Sequence, residues 1–382
     1  MRIPIDRASA TPLYEQIAFF FRERCRSGGF PAGMRLPSAR ILAEELDVSR
    51  ITTESAYAEL EAEAVVERRR GSGTFVAARA AANADRQGEL LPPAWQRRAF
   101  ADIARAGPRL VAGGGLGIER DDRLIDLSSG IADPSLFPAA AFRKALGKAL
   151  AEGGEDALGY GDPRGFLPFR ESVARVLSSR GIDARPDEIV VTSGSQEGIL
   201  LSALLACPRG GRAIVESPTY AATAGLFRSL GLELVPIPVD EGGMRIDALE
   251  EALRQSRPSL IYTMPNFQNP TGASLDGGRR KSLVALAERY AVPILEDDYV
   301  GDLRYEGRDL PALVSLGTPG AVIYTGTFSK LLAPGLRIGY VLARGSAGER
   351  LVDLKYCASL SSSNFVQRAL HSIASVGGYE NH

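Results

Sequence analysis

The chain has 382 residues, 45% of them hydrophobic and 24% charged, with a formal net charge of −1. That is a globular composition, long enough for two or three domains, and its charge balance offers no whole-molecule attraction to nucleic acid or membrane. Two histidines, His371 and His382, argue against Ser-His-Asp chemistry and a His-rich metal site, and three scattered cysteines, Cys25, Cys207 and Cys357, argue for a reducing compartment without a disulfide framework.

The opening "MRIPIDRASATPLYEQ" has no apolar core of signal-peptide length. No run reaches the roughly 20 apolar residues of a membrane span. A cytoplasmic protein is expected.

Helical periodicity comes first. "PLYEQIAFFFRERCRSG" carries an apolar stripe at Leu13, Ile17, Phe20 and Phe21 and stops at Gly28-Gly29. "LPSARILAEEL" opens on Pro37-Ser38 and shows Ile41, Leu42 and Leu46 on one face. After a turn at Asp47-Val48, Ser49 is a good N-cap for "RITTESAYAELEAEAVV". "VVERRRGSGTFVA" then reads as a two-stranded hairpin turning at Gly71-Ser72-Gly73. Two helices across a short turn plus a hairpin make a winged helix-turn-helix over residues 1–78.

In such a module the second helix presents its first turn to base edges, here Ser49, Arg50, Thr52 and Thr53. Arg68, Arg69 and Arg70, with Gly71 and Gly73, form a wing suited to phosphates, and Arg40 is placed to clamp a phosphate or a base. The pattern alone fits a small helical bundle with solvated arginines equally well. Charge does not decide, because residues 1–79 hold twelve arginines against eleven acidic residues.

"PLYEQI", "GMRLPSARILAEELDVSRITTESAY" and "GSGTFV" resemble the GntR-type winged helix over nearly its whole length. The resemblance implies binding to double-stranded DNA. Two residues depart from the pattern: Thr53 stands at a usually apolar position, and Ala64 replaces the usual glycine before the wing.

Residues 79–122 are rich in Ala, Arg, Gly and Pro and read as a linker, with a short helix around Trp95–Ile103. Residues 123–382 alternate strands with helices. "EIVVTSG", "RAIVESP", "LELVPIPV", "SLIYTMP", "VPILEDD", "AVIYTGT" and "LRIGYVLA" are the strands, and "GILLSALLA", "RIDALEEAL" and "DGGRRKSLVALAERY" are helices between them. This is an α/β domain with a mainly parallel sheet, whose ligands sit at strand ends near helix N-termini.

Polar residues cluster at those strand ends. In "TSGSQEG" the N–H groups of Gly194, Ser195 and Gln196 can take a phosphate. Asn269 precedes a proline turn, "LEDDY" brings Asp297 and Tyr299, and "GTFSK" brings Thr327, Ser329 and Lys330 ahead of Arg337. Lys330 is one of five lysines among forty arginines. Together these residues suit pyridoxal 5′-phosphate, which needs an amine for its aldehyde, an acid at its ring nitrogen, and N–H groups, hydroxyls and a cation around its phosphate. Tyr220 is placed to lie over the ring. Burial and Arg337 are expected to favour the neutral Lys330 amine.

Residues 124–376 resemble the large domain of fold type I aminotransferases (the aspartate aminotransferase superfamily), through "YGDPRG", "TSGSQ", "SPTY", "PNFQNPTG", "EDDY", "TFSK" and "PGLRIGY" in that order. The resemblance implies that Lys330 forms the Schiff base and Asp297 pairs with the pyridine nitrogen. By the same resemblance, Asn269 and Tyr299 reach the ring hydroxyl, and Tyr220 stacks on the ring. Gly194, Ser195, Gln196, Thr327, Ser329 and Arg337 hold the phosphate. Tyr160 reaches the phosphate of a neighbouring subunit, which implies a homodimer.

A GntR-type winged helix ahead of such a domain resembles the MocR subgroup of transcription regulators. That resemblance implies a cofactor domain that senses an amino acid, an amine or a B6 vitamer, and a two-fold dimer on repeated or palindromic half-sites. The alternative is a working aminotransferase with an accessory DNA-binding module. Family members continue past "SVGGYENH" into a small C-terminal domain that carries the substrate-carboxylate arginine. A C-terminally truncated chain is therefore expected, and no residue here takes that role.

Overall fold

The computed structural model describes residues 3–7, 9, 11–26, 29–69, 72–77, 130 and 132–382. The chain divides into two units, Met1–Arg97 and Arg98–His382. The expected linker 79–122 with its short helix, and the wing residues Arg70 and Gly71, lie outside the described residues.

In the first unit, helices α1 (Leu13–Arg26), α2 (Ala39–Leu46) and α3 (Arg50–Ala62) precede a hairpin of β1 (Val66–Arg69) and β2 (Gly73–Val76). Their apolar faces meet in one core, where Ile17, Phe21, Leu42, Tyr57, Leu60, Val66 and Val76 are buried. The expected cap forms, Ser49 accepting from the Thr52 N–H at 3.0 Å, and Ser38 caps α2 by accepting from the Ile41 N–H at 3.3 Å. Each satisfies a donor the first turn would otherwise leave open. Asp47, with φ of 51°, makes the left-handed turn between the two helices.

The end of α3 is a Schellman motif. The Val65 N–H bonds the Leu60 carbonyl at 2.9 Å and the Ala64 N–H bonds that of Glu61 at 3.0 Å. This puts Ala64 at φ of 55°, where its Cβ costs about 1–2 kcal/mol relative to glycine.

The second unit runs α4 (Ala139–Leu158), α5 (Leu167–Ser179), β3 (Ile189–Thr192), α6 (Ser195–Ala206), β4 (Arg212–Ser217), α7 (Ala221–Ser229), β5 (Glu233–Asp240) and β6 (Gly243–Met244). It continues through α8 (Ile246–Ser256), β7 (Leu260–Thr263), α9 (Gly277–Arg289), β8 (Ile294–Asp298), β9 (Val322–Thr327), β10 (Gly339–Leu342), α10 (Ser346–Ser359) and α11 (Asn364–Ala374). The strands form one sheet in the order β3-β10-β9-β8-β7-β4-β5-β6. Strands β9, β8, β7, β4 and β5 run parallel to one another, whereas β10 runs antiparallel to both β3 and β9.

All seven predicted strands are present, because β-branched runs bounded by turn residues mark them. Side-chain alternation gives the sheet two buried faces. Ile214, Ile261, Ile294 and Leu342 serve one core, and Val215, Tyr262, Leu295 and Val341 serve the other. Among the described residues no helix is long and apolar enough to cross a membrane.

Candidate functional site

The turn from β3 to α6 forms a cup. Gly194 takes φ of +90° as the residue before α6, so the first-turn N–H groups of Ser195 and Gln196 face outward at the positive end of the helix. A Cβ on Gly194 would lie 2.5 Å from Nη2 of Arg337. Arg337 itself sits in the left-handed region at φ of 50°, and its Nη2 donates to the Ser193 carbonyl at 3.2 Å. At the end of β9, Thr327 Oγ1 donates to Ser329 Oγ at 3.0 Å and accepts from the Ser329 N–H at 3.1 Å. Arg337 leads into β10, which pairs with both β3 and β9, so the expected phosphate donors fall on neighbouring strand ends.

The cup is braced from behind by two residues that sequence reasoning does not single out. Glu197 folds back to accept from the Ser193 N–H at 2.6 Å, and the fully buried Lys355 of α10 donates to Glu197 at 3.1 Å. Burial works against the Glu197 charge, but Ser359, the Ser193 N–H and Lys355 outweigh it and keep the carboxyl below its usual range.

Strand β8 is buried throughout and ends in three acids. Alternation sends Glu296 and Asp298 to one face and Asp297 to the other. Glu296 accepts the N–H groups of Leu313 and Val314 at 2.9 and 3.0 Å, and Asp298 takes Arg180 and the Tyr324 hydroxyl. Those two carboxylates are structural.

Asp297 is different. Its Oδ2 accepts from the Tyr262 hydroxyl at 2.7 Å, while its buried Oδ1 has no hydrogen-bond partner. Burial pushes this carboxyl up to about 7, with Asp298 adding to the shift and the Tyr262 bond opposing it. An acceptor held in that state fits a cationic N–H donor, which is what a protonated pyridine presents.

Lys330 follows β9 and donates from Nζ to the Gly130 carbonyl at 3.1 Å. Burial lowers its pKa and so favours the neutral amine. The expected contribution from Arg337 does not appear; burial alone accounts for the shift. Gly130 is not marked in the sequence either, as nothing local in "LSSGIADP" sets it apart.

Tyr220 precedes α7, and burial raises its phenol, with Asp297 adding to the shift and Arg337 opposing it. The tyrosine thus lies within electrostatic reach of both. Tyr299 donates to the Phe267 carbonyl at 2.7 Å, which leaves its oxygen as an acceptor toward any ring hydroxyl. Asn269 is half-buried in the loop after β7, and its amide makes no hydrogen bond among the described residues. Tyr160 stands 86% exposed on the surface.

On the winged helix, Arg40 and Arg50 are exposed, and Arg50 pairs with Glu54 one turn on at 2.8 Å. Ser49 caps α3 and Thr52 Oγ1 lies 2.7 Å from its hydroxyl. Thr53 is a correction. It is fully buried, and its single hydroxyl proton is shared between the carbonyls of Ala39 and Arg50, 2.8 and 2.9 Å away. It locks α3 to α2 instead of facing outward, which also explains how a polar residue occupies a usually apolar position. Arg68 pairs with Glu61 at 3.2 Å. Arg69 pairs with Glu67 at 2.5 Å and lies over the Phe75 ring, 4.7 Å from its centroid. Gly73 opens β2 with Arg35 packed beside it, a basic residue that the sequence pattern does not bring forward.

Residues 13–76 match the family "Bacterial regulatory proteins, gntR family" and residues 122–377 match "Aminotransferase class I and II". The chain is 30% identical to the uncharacterized HTH-type transcriptional regulator YdfD of Bacillus subtilis, over 97% of this chain and 76% of that protein. It is 31% identical to the probable rhizopine catabolism regulatory protein MocR of Rhizobium meliloti, over 99% of this chain and 75% of that protein. Among solved structures it is similar to LysN of Thermus thermophilus, an α-aminoadipate aminotransferase complexed with N-(5′-phosphopyridoxyl)-L-leucine. That similarity has 35% identity and a TM-score of 0.61, over 66% of this chain and 64% of that chain. With a gntR module, a class I and II aminotransferase domain and regulators among its relatives over nearly its whole length, the chain belongs to the MocR-type GntR family of transcriptional regulators.

Proposed function

We propose that the protein is a regulator whose aminotransferase-like domain holds pyridoxal 5′-phosphate and senses an amino acid, an amine or a B6 vitamer. The observation that carries this reading is the Asp297 carboxylate, buried, bonded on one oxygen by Tyr262 and with its other oxygen unpartnered. When bound, the cofactor supplies an electrophilic carbonyl and an electron sink. Lys330 provides an amine kept neutral by burial. Asp297 would receive the ring N–H, Tyr220 would cover a ring face, and Asn269 and Tyr299 would bind the ring hydroxyl. Gly194, Ser195, Gln196, Thr327 and Ser329 would donate hydrogen bonds to the phosphate, and Arg337 would offset its charge.

An effector bound beside Lys330 would alter the surroundings of Asp297 and Tyr220, and its differential affinity for two states of the protein would be the signal. In this reading the exposed Tyr160 completes the phosphate site of a second copy in a homodimer. Arg40, Ser49, Arg50 and Thr52 of the helix-turn-helix, with Arg69, Arg70, Gly71 and Gly73 of the wing, contact double-stranded DNA in the cytoplasm.

Two measurements test the halves separately. Borohydride reduction of cofactor-saturated protein followed by peptide mapping is expected to label Lys330, and an unlabelled Lys330 overturns the sensing half. Gel shifts are expected to favour upstream DNA over random DNA, and equal affinity overturns the regulatory half. The presence of both a lysine and an aspartate in place favours aminotransferase activity as the second reading. Robust turnover of an amino-donor and keto-acid pair would establish it.

A further inference from the structure

We infer that Tyr262 is a positioning residue for the cofactor: through the hydrogen-bonded chain Thr223–Tyr262–Asp297 it holds one carboxylate oxygen so that the other meets the ring nitrogen. The inference rests on the proposed binding of pyridoxal 5′-phosphate and adds the residues that set the state of its acid.

The geometry begins with strand register. Tyr262 of β7 stands opposite Leu295 of β8. Leu295 and Asp297 share a face, two residues apart, so a side chain as long as tyrosine leaning along the strand reaches the carboxylate. Its hydroxyl lies 2.7 Å from Asp297 Oδ2. The Phe227 ring meets the Tyr262 ring edge-on, with centroids 5.7 Å apart, and both residues are fully buried.

Donor counting fixes the direction of the chain. An ionised carboxylate only accepts, so the single phenol proton lies on the Asp297 bond. The phenol oxygen then accepts from Thr223 Oγ1, 3.3 Å away. Among the described residues Tyr262 is the one hydrogen-bond donor to Asp297. Other titratable groups face this carboxylate. Asp298 adjoins it on β8, Tyr299 follows, Glu216 approaches from β4, and Tyr220 comes from the turn before α7. The acids among them oppose its charge. Tyr262 therefore offsets that repulsion and leaves Oδ1 as a bare acceptor, which a ring N–H would fill.

The test uses the full chain with pyridoxal 5′-phosphate and with its 1-deaza analogue, which lacks the ring nitrogen. Tyr262→Phe keeps the ring packing and removes only the donor. It is expected to weaken binding of the natural cofactor about tenfold and to move the pH midpoint of its visible absorbance upward by about one unit. The sign follows because a less protonated ring withdraws fewer electrons from the linkage to Lys330. The analogue is expected to bind wild type and variant equally. Thr223→Val is expected to move the midpoint the same way by a smaller amount, and it carries the test if Tyr262→Phe does not fold.

Equal loss of affinity for both ligands would show a packing role and overturn the inference, as would an unchanged midpoint in both variants. Absence of any absorbance band in the wild type overturns the cofactor reading itself, whereas a normal wild-type band with unmoved variants overturns only the role given to Tyr262.

Discussion

Gly194 and Arg337 touch where no side chain fits: a Cβ on Gly194 would fall 2.5 Å from Arg337 Nη2. The backbone there also has φ of +90°, which only glycine adopts without strain. Gly194→Ala must displace the guanidinium or flatten the turn, and either opens the cup. We expect about a tenfold to hundredfold loss of pyridoxal 5′-phosphate affinity in equilibrium dialysis, equivalent to about 1.4–2.8 kcal/mol. Retained affinity would mean that the phosphate is held elsewhere.

The raised Asp297 pKa makes a pH-dependent prediction. Without a cationic partner, the folded protein holds a proton on this group up to about pH 7, whereas the unfolded chain releases it near the ordinary value of 3.8. Its contribution to stability is therefore greatest below the lower value and is lost as pH rises toward the higher one. Asp297→Asn removes the buried charge. We expect it to stabilise the cofactor-free protein at pH 8 by about 1–3 kcal/mol, with little effect at about pH 4. The same variant is expected to lose most of its cofactor affinity. Parallel denaturant titrations at the two pH values check the first outcome, and dialysis checks the second.

Thr53 and Arg50 should separate stability from DNA binding. Thr53→Val leaves the Ala39 carbonyl without its side-chain donor, and we expect a loss of about 1 kcal/mol in unfolding experiments with unchanged affinity for DNA. Arg50→Ala releases Glu54 and touches no core residue. We expect unchanged stability and a loss of about 1–3 kcal/mol in gel-shift affinity. The opposite pattern would return Thr53 to the DNA-facing surface.

Ala64 occupies a left-handed position that suits glycine. Ala64→Gly is expected to stabilise the winged helix by about 1 kcal/mol. Slower hydrogen exchange at the Val65 amide, which closes the Schellman motif on Leu60, would report it in the intact protein.

Much of this site is legible because its residues sit at strand ends. β-branched runs locate the strands, and glycine, lysine or acid at their ends stands out against them. Gly194, Asp297 and Lys330 can be read in this way. Tyr262 and Thr223 cannot, because their meeting with Asp297 depends on which strands are neighbours and in what register. Gly130 reaches Lys330 across 200 residues of sequence, which no local pattern encodes. Thr53 escapes the sequence reading because the first turn of a recognition helix has an inward side as well as an outward one. The rotation of α3 about its axis decides which residues lie on each.

The ammonium of Lys355 has a consequence for how the domain transmits strain. It is sealed inside the protein, bonded to Glu197 and to Ser359 at 3.1 Å each. Because Glu197 also grips the Ser193 amide, α10 cannot slide without either stripping a buried cation of its counter-charge or dragging the cup with it. A push on that helix is thus felt at the Ser193–Gly194 turn as a rigid lever would deliver it.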